Sequence, residues 1–342
     1  MIGERVRLAR EASRLTQQEL ADMSGIPLGT LGDIEVGQIM NPAADVIERV
    51  AEVTTFPVEF FHLGSLPDLP EGHYRRLKRG KSKVAKQVRA QVRQVVEIVQ
   101  RAELESLRLP EVTLRPIRSL DSLDAVEEIA MQVREALGVG KRDPIPNLTR
   151  AVERAGVVVV ALPTEMEDHD GFSVWPDYGL DGRPVIAMSR GYPGDRDRFT
   201  IAHELGHLLL HTLRATVDPK QAEPEANRFA GALLLSQEAA GEILRPPITL
   251  QMLKGVKATV GLSIGAVIKR SLDLGYINQT QFTSLRKQLS ARGWNREEPI
   301  EVVKETPLLI AKVLRALAGE GTVTQQARRV TMPTFNYRTL SA

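Results

Sequence analysis

Three residues in one short stretch have the types and spacing to do chemistry. In Phe199-Thr-Ile-Ala-His203-Glu204-Leu-Gly-His207-Leu-Leu-Leu-His211, two histidines stand four positions apart with a carboxylate between them. On a helix, positions i and i+4 share a face one turn apart, so two imidazoles there can hold a single metal ion. Glu204, next to the first imidazole, is the group that would accept a proton from a metal-bound water. Phe199, Ile201, Ala202, Leu205, Leu208, Leu209 and Leu210 surround the motif with apolar side chains. Both imidazoles are therefore expected to be buried, and buried imidazoles need polar partners. Gly206 costs about 1 kcal/mol relative to Ala inside a helix. Its presence there predicts that another segment packs closely against it.

A catalytic zinc site takes three protein ligands and keeps one position open for water. The chain has no cysteine, so the third ligand must come from a carboxylate or a histidine. The stretch Glu223-Pro-Glu225-Ala-Asn227-Arg-Phe229 follows at a suitable distance. Glu223 and Asn227 share a face, so Glu223 can complete the set while Asn227 hydrogen-bonds a ligand from behind. Glu225 is the competing carboxylate and is expected to be solvated. His211, one turn beyond His207, reads as a supporting or capping residue, because a fourth protein ligand would close the site. Zn2+ is the expected cofactor, although a site of two histidines and a glutamate also suits Mn or Fe.

The elements that must position these groups are mostly helical. Pro193-Gly194-Asp195 opens the central helix, with Asp195 as the expected N-cap. Before it, Gly156–Leu162, Asp170–Trp175 and Arg183–Met188 read as three strands of a small sheet, the last two joined by a Pro/Asp/Gly turn. An extended peptide could add to such a sheet's edge. Asp121–Leu137 and Leu148–Ala155 carry helical apolar spacing. After the second carboxylate-bearing helix come helical patterns over 250–274, 280–289 and 308–317, with 319–342 expected to be irregular. The fold class is therefore α+β, mainly helical with one small sheet.

The N-terminal part is organised differently. Thr16 and Glu19 form a capping-box pair, Ser24-Gly25 breaks the helix, and Pro27 suits the first turn of the next one. The string Thr-Gln-Gln-Glu-Leu-Ala, then Gly-Ile-Pro-x-x-Thr-Leu-x-x-Ile-Glu-x-Gly and Asn-Pro, resembles the Xre/Cro type of helix-turn-helix over residues 4–62. The resemblance implies an all-α DNA-binding domain in which Gln17, Gln18, Leu28, Gly29, Thr30, Gly32 and Asp33 are groove-facing. Charge runs against that role. Residues 1–65 carry five arginines and ten carboxylates, whereas residues 73–108 carry eleven Lys or Arg and three Glu. Phosphate contacts supply most of the affinity for DNA, so Arg5, Arg7, Arg10, Arg14 and the basic segment are the expected donors. Docking to a protein is the competing role of this module.

The central motif, taken with Glu-x-Glu-Ala-Asn-x-Phe-Ala-x-x-Leu-Leu, Gly171-Phe-Ser-Val-Trp and Leu262-Ser-Ile-Gly-Ala-Val-Ile, resembles the ImmA/IrrE family of zinc metallopeptidases over about 145–290. Ser236 stands where that family usually has Pro. The resemblance implies a gluzincin-like metalloendopeptidase that cleaves helix-turn-helix repressors in stress or mobile-element switches. The expected organisation is a helix-turn-helix domain at 1–65, a basic linker helix at 66–115, a metallopeptidase domain at 116–245 and a helical region at 246–342. The expected function is a bacterial regulator combining DNA binding with proteolysis of a repressor or other regulatory protein. The alternative is a transcription regulator or antitoxin whose peptidase-like domain senses a metal or ligand without cutting. A homodimer is expected by analogy with Xre domains. The absence of an apolar leader at the N-terminus and of any long apolar run leads to the expectation of a cytoplasmic protein without a membrane partner.

Overall fold

A computed structural model of the chain describes residues 2–70, 82–164, 166, 170–176, 182–214 and 217–341. The elements run α1 (Ile2–Ala12), α2 (Gln17–Ser24), α3 (Leu28–Glu35), α4 (Ala44–Thr54), α5 (Val58–Phe61), α6 (Lys83–Leu104), α7 (Leu123–Ala136) and α8 (Leu148–Arg154). Strands β1 (Val158–Leu162), β2 (Gly171–Val174) and β3 (Val185–Ser189) follow. The chain continues with α9 (Gly194–His211), α10 (Pro219–Leu234), α11 (Gln237–Ile243), α12 (Leu250–Val260), α13 (Ile264–Asp273), α14 (Gln279–Ala291), α15 (Leu309–Ala318), α16 (Val323–Arg329) and α17 (Thr334–Ser341). These elements form two compact units, each assembled from separate stretches of sequence.

The first unit takes Met1–Leu109, Val158–Arg190 and Pro307–Ala342. The capping box forms at α2, where the Thr16 hydroxyl accepts from the Glu19 amide and the Glu19 carboxylate accepts from the Thr16 amide. Gly25, with φ of 66°, ends that helix in the left-handed region, where a residue with a Cβ is strained. Leu20, Ile26, Leu31, Ile34, Val50 and Phe60 form the core beneath α1–α5, and Ala90 of α6 reaches into it. The valines of α6 pack on β1, β2 and β3 and on the C-terminal helices α15–α17. The helix predicted as a linker is thus the spine of this unit and carries two hydrophobic cores. Residues 66–70 also pack, with Leu66 in one core and Leu69 in the other.

The sheet has the order β1-β3-β2. β1 pairs parallel to β3, from Val158 opposite Val185 to Leu162 opposite Ser189. β2 pairs antiparallel to β3, from Gly171 opposite Met188 to Val174 opposite Val185. The three expected strands are therefore present, though shorter than the sequence suggested. The C-terminal segment is not irregular. Thr322 and Gln325 form a capping box that starts α16, and α17 packs on both α15 and α16.

The second unit takes Pro110–Val157 and Gly191–Thr306. Its centre is the α9–α10 pair, with α7 packed on α10. Gly206 explains how close the pair comes: a Cβ there would stand 3.0 Å from the Phe229 ring. The N-cap of α9 is Pro193, not Asp195. Asp195 lies in the first turn with its carboxylate 2.6 Å from the buried Lys257 amine, which also binds Glu298 at 2.8 Å. The other Asp195 carboxylate oxygen accepts from the Arg196 amide, at 3.0 Å, in the first turn of the same helix. Glu305 binds Arg198 and accepts from the first backbone amides of α8, at Leu148 and Thr149. No helix among the described residues is long and apolar enough to cross a membrane.

Candidate metal centre

The central motif falls in the C-terminal half of α9, where His203 and His207 project one turn apart. Asp218 caps α10 through the Lys220 amide. Pro219 occupies the first turn, where its missing N–H is no loss. Pro224 lies inside the helix, so its nitrogen cannot donate to the Lys220 carbonyl, and the turn carrying Glu223 is free of that bond.

Glu223 meets both histidines. Its Oε2 lies 3.4 Å from His203 Nε2 and its Oε1 lies 3.4 Å from His207 Nε2. The two Nε2 atoms are 2.9 Å apart. Ligands about 2.1 Å from one tetrahedral ion would stand about 3.4 Å from each other, so the two nitrogen–oxygen distances already match and the histidine pair is somewhat closer. Among the described residues, His203, His207 and Glu223 are the group whose ligand atoms could share a metal ion. The hydrogen bonds from His203 and His207 hold the Glu223 carboxyl far below the usual carboxylate range, against the opposing effect of burial. The donor set is therefore two imidazoles and an ionised carboxylate, which fits a dication. Glu204 is buried within α9.

Each imidazole is held from behind. Asn227 Oδ1 lies 3.2 Å from His203 Nδ1, as the shared face of Glu223 and Asn227 predicts. His207 Nδ1 lies 2.8 Å from His211 Nδ1, and His211 Nε2 lies 3.0 Å from Glu225 Oε2. With the His207 Nε2 lone pair given to a metal ion, its Nδ1–H would donate to His211 Nδ1 and the His211 Nε2–H to Glu225.

Glu225 corrects the expectation that it is solvated. It is 2% exposed, bound by Arg214 at 2.8 Å and by the Gln221 amide at 2.8 Å. Burial pushes its carboxyl up, but the hydrogen bonds from Arg214, His211 and Gln221 outweigh it and hold the group below the usual range. Sequence reasoning missed Arg214 altogether. The available signal was its position three residues after His211, on the same side of the helix end.

Residues 152–272 match the family of IrrE N-terminal-like domains, Peptidase M78. Residues 6–61 match a helix-turn-helix family. The chain joins a helix-turn-helix module to an IrrE/ImmA-like domain. No curated protein matches the chain. The IrrE/ImmA-like match spans all the residues that meet at the candidate centre, from His203 to Asn227, and also the three strands. Its far end falls in α13, so the match continues past the predicted limit at residue 245.

In the helix-turn-helix module the expected nucleic-acid contacts lie on α2 and α3. Leu28 is exposed, while Thr30 and Asp33 are half-buried on α3. Gln17 donates to Glu35 at 2.9 Å and Gln18 to Asp22 at 2.8 Å. Two of the four expected phosphate donors are committed to the fold. Arg5 is buried, bound to the Leu63 and Gly64 carbonyls and to Glu97. Arg10 is buried in a two-pronged pair with Glu35, at 2.6 and 2.8 Å. Arg7 and Arg14 are exposed. The basic stretch at 73–81 lies outside the described residues.

Proposed function

We propose that this chain is a bacterial, cytoplasmic regulator that couples DNA binding to zinc-dependent endoproteolysis of a regulatory protein, with a helix-turn-helix repressor as the substrate in a stress or mobile-element response. The observation that carries the proteolytic half is the meeting of His203, His207 and Glu223 around one point, with Glu204 adjacent to the first ligand. His203, His207 and Glu223 would hold the zinc ion, which would supply a Lewis acid for a water and for the scissile carbonyl. Glu204 would be the base that takes the proton of that water and passes it to the leaving amine. Asn227 fixes the His203 ring, and the His211–Glu225 pair fixes the His207 ring, so the open position keeps its direction. A domain that only sensed a metal would not require Glu204.

A second reading concerns the helix-turn-helix module alone. Met23, Leu28, Val36 and Met40 are exposed apolar side chains on or beside α2 and α3, and α3 contains no Lys or Arg. Such a face suits a protein surface better than a phosphate backbone. In that reading the module delivers the peptidase to its substrate.

The deciding experiment compares wild type with Glu204→Gln. The variant should retain the same metal content and lose cleavage by about 10²–10⁴-fold. Proteomics of cells carrying each form should then show one regulatory protein accumulating in the variant. A cellular phenotype that survives Glu204→Gln excludes proteolysis as the function. A gel shift against the chain's own promoter at low and high salt separates the two roles of the N-terminal module, and absence of any shift at low salt removes DNA binding.

A further inference from the structure

A second polar site lies far along the sequence from the metal centre, within the first unit. A cavity of about 370 Å³ is lined by Arg7, Arg10, Glu11, Arg14, Leu15, Thr16, Gln17, Glu35, Lys83 and Lys86. Five cations and two carboxylates line the concave surface, where Arg7 and Arg10 pair with Glu35 and Lys83 pairs with Glu19, in a module whose first 65 residues are otherwise strongly acidic. The walls come from α1, the start of α2 and the first turn of α6. Thr16, which lines the wall, is the N-cap of α2, so the positive end of that helix's dipole lies there and is shared with the Glu19 carboxylate of the capping box.

Arg14 adds an independent observation. It ends α1 with φ of 61°, and the amides of Arg14 and Leu15 bond back to the Glu11 and Arg10 carbonyls. That helix end is ordinarily made by glycine, because any Cβ is strained there. Thr55, Ser106 and Thr331 adopt the same conformation elsewhere in the chain, and at Arg14 it brings an arginine to the cavity lining. Lys86 is exposed on the opposite wall. Neither residue belongs to the hydrophobic cores.

We propose that this cavity binds a small oligophosphate, a molecule with two or more linked phosphate groups, as an effector of the regulator. The volume falls at the lower end of the range for small-ligand sites. The concave shape and the Glu11 and Glu35 carboxylates in the wall disfavour a duplex, whose phosphates lie on a convex, uniformly anionic surface. Cations spread around a compact site are matched instead by a ligand that concentrates charge. Because the walls come from both α1–α2 and α6, an occupant would tie the helix-turn-helix module to the spine of its unit.

The test is calorimetry on the full chain with inorganic pyrophosphate and with ATP, in magnesium-free buffer at low salt. Saturable binding at or below about 1 mM is expected. Lys86→Glu should weaken it at least tenfold. Arg14→Gly should weaken it severalfold without lowering the melting temperature, because glycine relieves the backbone. The proposal is overturned if neither probe binds. It is also overturned if the heat persists unchanged in both variants, since that heat then comes from the metal centre or from nonspecific contact. A short DNA duplex is the third titrant. If the duplex binds with the same dependence on Lys86 while pyrophosphate does not, the cavity is a seat for the DNA backbone and the proposal falls.

Discussion

Glu223 and Glu225 are two positions apart and do opposite jobs. Glu223 is half-exposed and meets both imidazole nitrogens, whereas Glu225 is buried and acts through His211 on the back of His207. Replacing either removes a carboxylate, but the consequences differ. Glu223→Gln should abolish tight metal binding, while Glu225→Gln should weaken it by about 10–100-fold. Competition against a chromophoric chelator reads both directly. Equal metal affinity in wild type and Glu225→Gln would show that the Glu225–His211 pair does not orient the ligand. The grouping of His203 with His207, and of Glu223 with Asn227, was legible from i, i+4 spacing, whereas the meeting of the two pairs was an expectation with Glu225 as its competitor. The role of Glu225 was not legible. It is bound by His211 of α9 and by Arg214, which follows that helix, and no pattern within α10 reveals either.

Elements differ in how far sequence exposes them. Helices with a strong cap and a single apolar stripe, such as α2 and α7, fall close to where the pattern puts them. Residues 319–342 read as irregular because α16 and α17 span only seven and eight residues, too few turns for periodicity to emerge. The Thr322–Gln325 box was the legible signal. For α6, the valine stripe is plain, but the second packed side is made by Ala90 and by Arg5–Glu97 pairing, which look like surface in the sequence. Close packing also carries a cost that can be measured. Gly206→Ala should gain helix propensity yet lose net stability by about 1 kcal/mol, because the fully buried Phe229 ring has little room to move. Phe229→Leu in the same chain should recover part of that loss. Lys257 gives a pH prediction. Burial lowers its pKa, but the hydrogen bonds and charges of Asp195 and Glu298 outweigh this and raise it. Its contribution is therefore complete below the unfolded lysine value near 10.4 and disappears as pH rises through the higher folded value. Lys257→Met should cost about 3–5 kcal/mol at neutral pH. The gap from wild type, followed by urea melts, should hold constant to about pH 10 and narrow above it.

At the scale of the molecule, the first unit gathers three separated stretches of chain around α6, and the second gathers two around α9 and α10. Composition and motif reading set the modules in a line, and the structure interleaves them instead. Contacts between distant stretches, such as Glu59 with Arg328 or Gln94 with the Thr331 carbonyl, have no local signature. One outcome is measurable by hydrogen exchange. Amides of α1 and α6 should open together, because Arg5 of one is buried against Glu97 of the other and both helices share a core. If α1 exchanges well before α6, the two are not one cooperative unit.

The candidate centre contrasts with this long-range architecture in one respect. His203 and Asn227, its first and last participants, are only 24 residues apart, on the packed helices α9 and α10. Closing so short a loop costs little chain entropy, and a bound ion would link the two helices as a crosslink does. An ion encountered while the chain is still being synthesised could therefore staple α9 to α10 before the C-terminal stretches of either unit have emerged. Metal supply would then govern how the protein folds as well as the state of its candidate centre.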